Sequence, residues 1–247
     1  MTPEKWLHAI RAESAVLEET GAAMLGADIP ACPGWTVHDL LGHVGAVHRW
    51  AADRIDGTHL YRGYDGIEVP AGEAVIDWYG EGRDQLIASL TAKEPDDTVP
   101  AIGGPKTVAF WYRRQANELA VHRWDLESAT VPGVPRPIDP ALAADGIDEW
   151  LEVFAPRFIA RGNGVPAALV GRTVHLHATD IDDGEWLWEI TPEGISHRRG
   201  HAKADVALRG PISDLLLMLW HRRSHKDLDV VGDDALPVPI LELVHVT

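Results

Sequence analysis

The spacing of the hydrophobic residues changes near residue 165, and this change constrains the fold more than any other feature of the chain. Before that point, apolar side chains recur about every 3.6 residues over long stretches, which predicts amphipathic helices. After it, they alternate with polar residues in short runs, which predicts strands. We therefore expect an α+β protein of two domains, with a helical domain over residues 1–160 and a small α/β domain over residues 165–247.

The helical part is predicted to contain four helices before residue 131. They cover residues 3–24, 36–55, 73–92 and 107–129, and segments rich in Gly and Pro separate most of them. Thr36 is the predicted N-cap of the second helix, with Asp39 as its capping-box partner. The long connection over residues 56–72 indicates an antiparallel four-helix bundle with a crossover. A further helix is expected over residues 139–159.

The C-terminal part is predicted to mix short strands with one buried helix. Strands are expected over residues 173–179, 185–190, 195–199, 205–209 and 228–231, and the helix over residues 213–220.

Composition excludes several classes of function. The net charge is −16, so phosphate backbones and anionic lipids repel the chain, and we expect no nucleic-acid partner and no membrane partner. The single cysteine, Cys32, excludes an internal disulfide and a cysteine-based zinc site. No signal peptide and no apolar run of about 20 residues is visible, which predicts a cytoplasmic protein. A monomer and a small homo-oligomer both remain open.

Glu118 and His122 form the most informative local motif, because they lie four residues apart in a predicted helix. Four residues at about 100° each turn roughly 400°, so both side chains leave one face, one turn apart. A carboxylate and an imidazole in this geometry can bind one metal ion. Surface ion pairs show the same spacing, so the pair alone does not establish a metal site.

His43 on the second predicted helix supplies a third candidate ligand. It lies beside Leu41 and Val44, next to an apolar face, and a buried histidine needs a hydrogen-bond partner or a metal. Taken alone, His43 fits a hydrogen-bonded core histidine better. Together with Glu118 and His122 it gives two nitrogen ligands, one oxygen ligand and a vacant position. This set is typical of catalytic zinc, which would favour a thiolate in the vacancy, although nickel, iron or manganese would also fit.

Three neighbouring residues have alternative interpretations. Asp125 follows His122 by three residues and could orient its imidazole, or it could be a solvated charge paired to Arg123 or Arg49. His48 lies about 140° around the helix from His43, which makes it a poor co-ligand. Cys32 is interpreted as a small packed residue rather than a nucleophile.

Four histidines of the C-terminal part lie in a predicted strand and in a predicted hairpin. His175 and His177 lie on one face of a predicted strand and could bind a metal, but a half-exposed strand explains them better. His197 and His201 lie in a predicted hairpin beside two arginines and are expected to be solvated.

Several motifs resemble the mycothiol-dependent maleylpyruvate isomerase family, which belongs to the DinB-like four-helix-bundle metalloproteins. They are residues 31–43 (Ala-Cys-Pro-Gly-Trp-Thr-Val-His-Asp-Leu-Leu-Gly-His), 47–50 (Val-His-Arg-Trp) and 118–125 (Glu-Leu-Ala-Val-His-Arg-Trp-Asp). Residues 204–217 (Ala-Asp-Val-Ala-Leu-Arg-Gly-Pro-Ile-Ser-Asp-Leu-Leu-Leu) resemble the family's second domain, a sterol-carrier-like α/β module. The resemblance covers nearly the whole chain and is specific for the family but not for the substrate.

The resemblance implies a divalent metal, usually zinc, and mycothiol as the thiol cosubstrate. The family's ligands are a histidine on the second helix and a Glu-x-x-x-His pair on the last bundle helix, and these positions match His43, Glu118 and His122. Mycothiol, a low-molecular-weight thiol, is expected to bind the metal through sulfur. In the isomerase, the thiolate adds to the cis double bond of maleylpyruvate, the adduct rotates, and elimination yields fumarylpyruvate. Other members resemble S-transferases that conjugate the thiol to electrophiles.

The resemblance also implies a catalytic arginine in the second domain. Arg222 is the best match in this chain, and Arg223 is a near alternative. The guanidinium fork pairs well with the carboxylates of a dianionic substrate. Both roles remain open for Arg222, since a cation after a helix also stabilises the helix C-terminus.

The sequence therefore predicts a metal-dependent, mycothiol-using enzyme that adds a thiolate to a small electrophile, by isomerisation or by S-transfer. Two alternatives remain. One is a non-catalytic protein that binds metal or small molecules, and the other is a DinB-fold enzyme of secondary metabolism that uses no thiol.

Overall fold

Four long helices form the first part of the chain, close to where the hydrophobic spacing predicts them. The computed structural model describes residues 1–131 and 133–244. Helix α2 packs against α3 and α4, and α1 packs against α4. The predicted helical domain followed by a sheet domain is confirmed. The four helices are α1 (Pro3–Glu18), α2 (Val37–Asp56), α3 (Ala74–Thr91) and α4 (Val108–Thr130).

Helix α1 is shorter than predicted. It ends at Glu18, and a separate 3₁₀ turn follows at Ala22–Met24. Gly21 lies between them with an extended backbone, φ −80° and ψ 152°. Glycine is a poor helix former, which explains the interruption.

The start of α2 is fixed by the predicted capping box, which is confirmed. The backbone N–H of Thr36 donates to Oδ2 of Asp39 at 2.8 Å, and the backbone N–H of Asp39 donates to Oγ1 of Thr36 at 3.4 Å. These bonds satisfy two amide groups that the first turn of a helix leaves without partners. The helix therefore begins at a defined residue, and His43 lies about two turns into it.

Two glycines allow α2 and α3 to approach closely. A Cβ atom on Gly45 would lie 2.5 Å from the Trp78 ring, and one on Gly82 would lie 3.1 Å from the carbonyl oxygen of Gly45. Arg49 fills the space between the helices, with its guanidinium 3.9 Å from the centre of the Trp78 ring. Side chains larger than hydrogen at these positions would force the helices apart.

The connection between α2 and α3 is tied back to α2. Asp53 accepts hydrogen bonds from Oγ1 of Thr58 at 2.5 Å and from the backbone N–H of Leu60 at 2.6 Å. At its other end, the carbonyl of Pro70 lies 3.1 Å from Nε2 of His38. Tyr64 begins a short 3₁₀ turn between these anchors. This loop is therefore held over the face of α2 that carries His43.

The second part of the chain is a five-stranded sheet with helices. The strand order is β3-β2-β1-β4-β5, with β1 and β4 parallel and the other neighbours antiparallel. The strands are β1 (Thr173–Ala178), β2 (Glu185–Thr191), β3 (Gly194–Arg199), β4 (Val206–Gly210) and β5 (Asp229–Gly232). The helices are α5 (Pro140–Glu149), α6 (Ala155–Arg161), α7 (Ile212–Leu219) and α8 (Pro237–Leu241).

One face of this sheet is the core of the second unit. On β2, Trp186, Trp188 and Ile190 are buried, and the residues between them are more exposed. Helix α7 packs against β1 and β4, and the Trp150 ring stacks on Trp188 with 5.7 Å between ring centres. This alternation of buried and exposed side chains produces the alternating sequence pattern that predicts the strands.

The chain divides into two compact units after residue 136, with Met1–Arg136 in the first and Pro137–Thr247 in the second. The sequence places this division near residues 160–165. The difference arises because residues 137–161 pack with the sheet: α5 contacts α7, α6 contacts β3, and Asp148 accepts a 2.8 Å hydrogen bond from Nε1 of Trp186. Residues 245–247 of the predicted second domain lie outside the described residues.

The helix predicted over residues 139–159 is divided by a π-helical turn at Trp150–Phe154. Pro156 lies in the first turn of α6 and has no N–H with which to continue the regular hydrogen-bond ladder. Among the described residues, no helix has both the length and the apolar character needed to cross a bilayer.

Candidate metal centre

His43 from α2 and the pair Glu118 and His122 from α4 converge inside the helical unit. Nε2 of His43 and Nε2 of His122 each lie 3.4 Å from Oε1 of Glu118. The three ligand atoms all lie within 4.8 Å of one another. Two imidazole nitrogens and one carboxylate oxygen suit a divalent transition metal with an open position, so the residues fit the metal that the sequence predicts.

The centre is partly buried but remains accessible. The side chains of His43, Glu118 and His122 expose 18%, 17% and 9% of their surface. Helix α4 is buried over most of its length, and its four-residue spacing places Glu118 and His122 on one face. His43 meets them because α2 packs against α4.

Asp125 orients the His122 ring. Its carboxylate is fully buried, and Oδ2 lies 3.0 Å from Nδ1 of His122. Because Nδ1 is engaged there, Nε2 is the nitrogen that faces Glu118. Arg123, which the sequence offers as a partner for Asp125, binds Glu13 at 2.7 Å and Glu127 at 3.0 Å. These contacts favour the orienting role over a solvated surface charge.

Arg114 holds the other oxygen of Glu118. Its Nη2 donates to Oε2 at 2.8 Å, and the Arg114 side chain is only 4% exposed. One carboxylate oxygen is thereby occupied, and Oε1 is left facing the two histidines. The sequence pattern does not single out Arg114, although its position four residues before Glu118 is a usable signal.

The charges in this cluster shift the pKa values of its members. Burial acts to raise the pKa of Glu118, but Arg114 and hydrogen bonds from His122 and His43 hold that pKa well below its usual range. Burial acts to lower the pKa of His122, but hydrogen bonds to Asp125 and Glu118 raise it to about 9. Without a metal, His122 therefore carries a proton at neutral pH, and a metal must displace that proton to bind.

Aromatic rings surround His43. The ring of Trp35 lies 4.9 Å from it between centres, and the ring of Tyr64 approaches edge-on at 5.2 Å. Trp50 contacts Tyr64 in turn, at 5.9 Å. Trp35 and Tyr64 come from loops on either side of α2, so no regular spacing in the sequence could have indicated that they meet His43.

His48 and Cys32 lie outside the set of three ligands. His48 is fully buried against Tyr79, with 5.6 Å between ring centres, and burial lowers its pKa to about 3. Cys32 is half-buried, and its Sγ lies 3.9 Å from Oδ2 of Asp125. Cys32 is thus close to the centre through Asp125, a proximity that its position in the sequence does not reveal.

Arg222 and Arg223 belong to the second unit, in the turn after α7. Nη1 of Arg222 donates to the carbonyl of Trp220 at 2.8 Å. Nε of Arg223 lies 2.9 Å from Oδ1 of Asp214. This ion pair joins the turn that carries Arg223 to helix α7.

Both parts of the chain match models of known protein families. The model of the mycothiol maleylpyruvate isomerase N-terminal domain matches residues 6–127, and that of the MDMPI C-terminal domain matches residues 141–239. No curated protein matches this chain.

Two solved structures share the fold. One is the mycothiol-dependent maleylpyruvate isomerase, with 13% identity, a TM-score of 0.62 and 93% of each chain covered. The other is a histidine-to-alanine variant of the mycothiol-dependent maleylpyruvate isomerase, with 12% identity, a TM-score of 0.63 and 93% of each chain covered.

Replacing Asp125 should weaken the metal centre without destroying it. In Asp125→Asn, the His122 ring loses the carboxylate that orients it, so zinc affinity should fall about 10- to 100-fold. The zinc bound at this centre is identified as the equivalent that is lost in His43→Ala. Its affinity is measured in each protein by competition with a chelator. The exposed Asp96→Asn is the matched control and should bind as the wild type does. Unchanged affinity in Asp125→Asn would show that Asp125 does not support the centre.

Proposed function

The chain belongs to the mycothiol maleylpyruvate isomerase family, and on that basis we propose that it is a metal-dependent, mycothiol-using isomerase of a small electrophile. The observation that carries the proposal is the convergence of His43, Glu118 and His122 within 4.8 Å, in the part of the chain that matches the N-terminal family domain. The proposed ligand set is these three residues, and the proposed metal is zinc. Such an ion would bind a thiol sulfur and lower its pKa, so that a thiolate is available at neutral pH.

The residues around the three proposed ligands fix the ligand side chains in position and limit the access of water. Arg114 and Asp125 each hold one end of a ligand side chain, at 2.8 Å from Glu118 and 3.0 Å from His122. Fixing the ligands in this way lowers the entropy that is lost when a metal binds. Trp35 and Tyr64 cover His43 with apolar ring surface, which limits the access of water.

The proposed isomerisation needs a nucleophile that is regenerated. The thiolate adds to one carbon of a cis double bond that is conjugated to a carbonyl, and the carbon–carbon bond becomes single. Rotation about that bond and elimination of the thiolate then give the trans isomer. The thiol is not consumed, and no oxidant or reductant is required. Arg222 is the proposed binder of a substrate carboxylate.

S-transfer is a second candidate, favoured by the aromatic surroundings of His43. Trp35 and Tyr64 present apolar ring surface next to a proposed metal ligand, and such surface suits an apolar electrophile better than a dianion. In this reaction the thiol remains in the product. The two reactions are therefore distinguished by the balance of free thiol.

Turnover should require both the thiol and His122. The zinc-loaded protein with mycothiol and maleylpyruvate should convert the cis to the trans isomer, followed by ultraviolet absorbance, while free thiol counted in parallel stays constant. His122→Ala should abolish turnover because it removes one of three proposed ligands. The exposed His8→Gln is the matched control and should retain activity.

Other outcomes of the same assay point elsewhere. Loss of free thiol in step with product would favour S-transfer. Zinc binding without turnover of maleylpyruvate or of a panel of electrophiles would favour the non-catalytic binding protein. Turnover that needs no thiol would favour a DinB-fold enzyme of secondary metabolism that uses no thiol.

Arg222→Gln should lower activity on a dianionic substrate more than Arg223→Gln does. Removing a charged hydrogen-bond donor to a carboxylate costs about 1.5–3 kcal/mol, or roughly 10- to 150-fold in kcat/KM. Arg223→Gln breaks the ion pair with Asp214 and should mainly affect stability. Steady-state kinetics and thermal unfolding of both variants provide the comparison. Equal kinetic losses in the two variants would contradict a specific role for Arg222.

A further inference from the structure

Four side chains of types that can ligate a metal meet in the second unit, on the face of the sheet opposite its core. His175 and His177 alternate along β1 and therefore point to the same side of the sheet. Glu185 begins β2 directly opposite His177 in the antiparallel register. His201 follows β3, and the backbone N–H of Gly200 donates to the carbonyl of Glu185 at 3.0 Å, which brings His201 to the group.

The distances within the group are short. Oε2 of Glu185 lies 2.9 Å from Nε2 of His175 and 2.7 Å from Nδ1 of His201. Oε1 of Glu185 lies 3.4 Å from Nδ1 of His177. One ligand atom from each of the four residues lies within 4.8 Å of the others. In a tetrahedral zinc site with ligand bonds of about 2.0–2.2 Å, neighbouring ligand atoms are roughly 3.3–3.6 Å apart, so small rotations of the side chains would suffice.

Burial in the group is graded from one end to the other. The side chain of His175 is 5% exposed, those of Glu185 and His177 are 24% and 25% exposed, and that of His201 is 74% exposed. His201 is solvated, as the sequence predicts, and it also contacts Glu185. His175 is buried, although the sequence predicts a half-exposed strand there. An ion could thus enter past His201 and be held against the buried His175.

The positive charge next to the group is balanced by a carboxylate, so it does not oppose the binding of a cation. Arg209 is the neighbour of His177 on β4, and its Nη1 lies 3.2 Å from Oδ2 of Asp229, which balances its charge.

We propose that His175, His177, Glu185 and His201 form a second metal site, which binds zinc with four protein ligands. Three imidazoles and one carboxylate select zinc over magnesium or calcium, which prefer oxygen. Because the protein fills all four positions, the site has no vacancy for a substrate, and its role is structural. The ion would link β1, the start of β2 and the segment after β3, and so fasten one corner of the sheet.

The test counts zinc equivalents per chain at one buffered free-zinc concentration, using elemental analysis of the purified full chain. The proteins are the wild type, His177→Gln/His201→Gln, His122→Ala, the combination of all three changes, and His197→Gln. His177 and His201 are chosen because both are partly exposed, so their replacement disturbs the core least. His197→Gln is the matched control, since this histidine lies on β3 but outside the group.

The proposal predicts that His177→Gln/His201→Gln binds one zinc fewer than the wild type, and that His197→Gln binds as many. Cobalt added to His122→Ala should give the visible bands of a four-coordinate ion, and zinc should raise its unfolding temperature. Neither effect should occur in the combined variant. The unfolding temperatures in the presence of a strong chelator show whether each variant is folded.

Equal zinc content in the wild type and in His177→Gln/His201→Gln would overturn the proposal, and the four side chains would then be a hydrogen-bonded cluster only. The bundle centre is judged separately. If His122→Ala keeps all the zinc of the wild type while His177→Gln/His201→Gln loses an equivalent, the bundle centre fails and the sheet site stands.

Discussion

The partly buried carboxylate of Glu118 sets the main constraint on the interior of the helical unit. A charge removed from water must be compensated by partners within reach, or its burial destabilises the fold. Arg114 compensates one oxygen, and His43 and His122 approach the other. Asp125 in turn faces the far nitrogen of His122. The result is a row of alternating charges along α4, and the contact between His43 and Glu118 requires α2 to pack closely against it.

This arrangement explains how one small cluster serves both the fold and the proposed chemistry. Without a metal, a proton on His122 balances the acidic groups, and the pKa of about 9 reflects that balance. A divalent ion would replace the proton and satisfy the same carboxylate. The second cluster, on the sheet, has a different composition, with three imidazoles around one carboxylate. The first set has an open position suited to a ligand, and the second has none.

Features that depend on local spacing could be predicted from the sequence. The four-residue interval of Glu118 and His122, the capping box of Thr36 and Asp39, and the alternation of the strands are all set by neighbours along the chain. His43 can also be predicted as a candidate ligand, because its helix and its apolar neighbours are local features of the sequence. The family resemblance then pointed to the same three residues.

Contacts that depend on loops and on long-range packing could not be predicted. Trp35 and Tyr64 reach His43 from loops, and Cys32 reaches Asp125 across 93 residues of sequence. His201 meets Glu185 only because three strands pair in one particular register. Residues 137–161 belong to the unit that contains the sheet although their hydrophobic period is helical, because a helical segment can pack with a sheet.

The central claim is that the centre formed by His43, Glu118 and His122 binds a metal that accepts a thiol sulfur. The most direct test is to load the protein with cobalt, add mycothiol, and record the near-ultraviolet spectrum. A sulfur-to-cobalt charge-transfer band should appear and saturate at one thiol per chain, and it should be absent in His122→Ala. A spectrum that mycothiol leaves unchanged in the wild type, or a band that persists in His122→Ala, would contradict the claim.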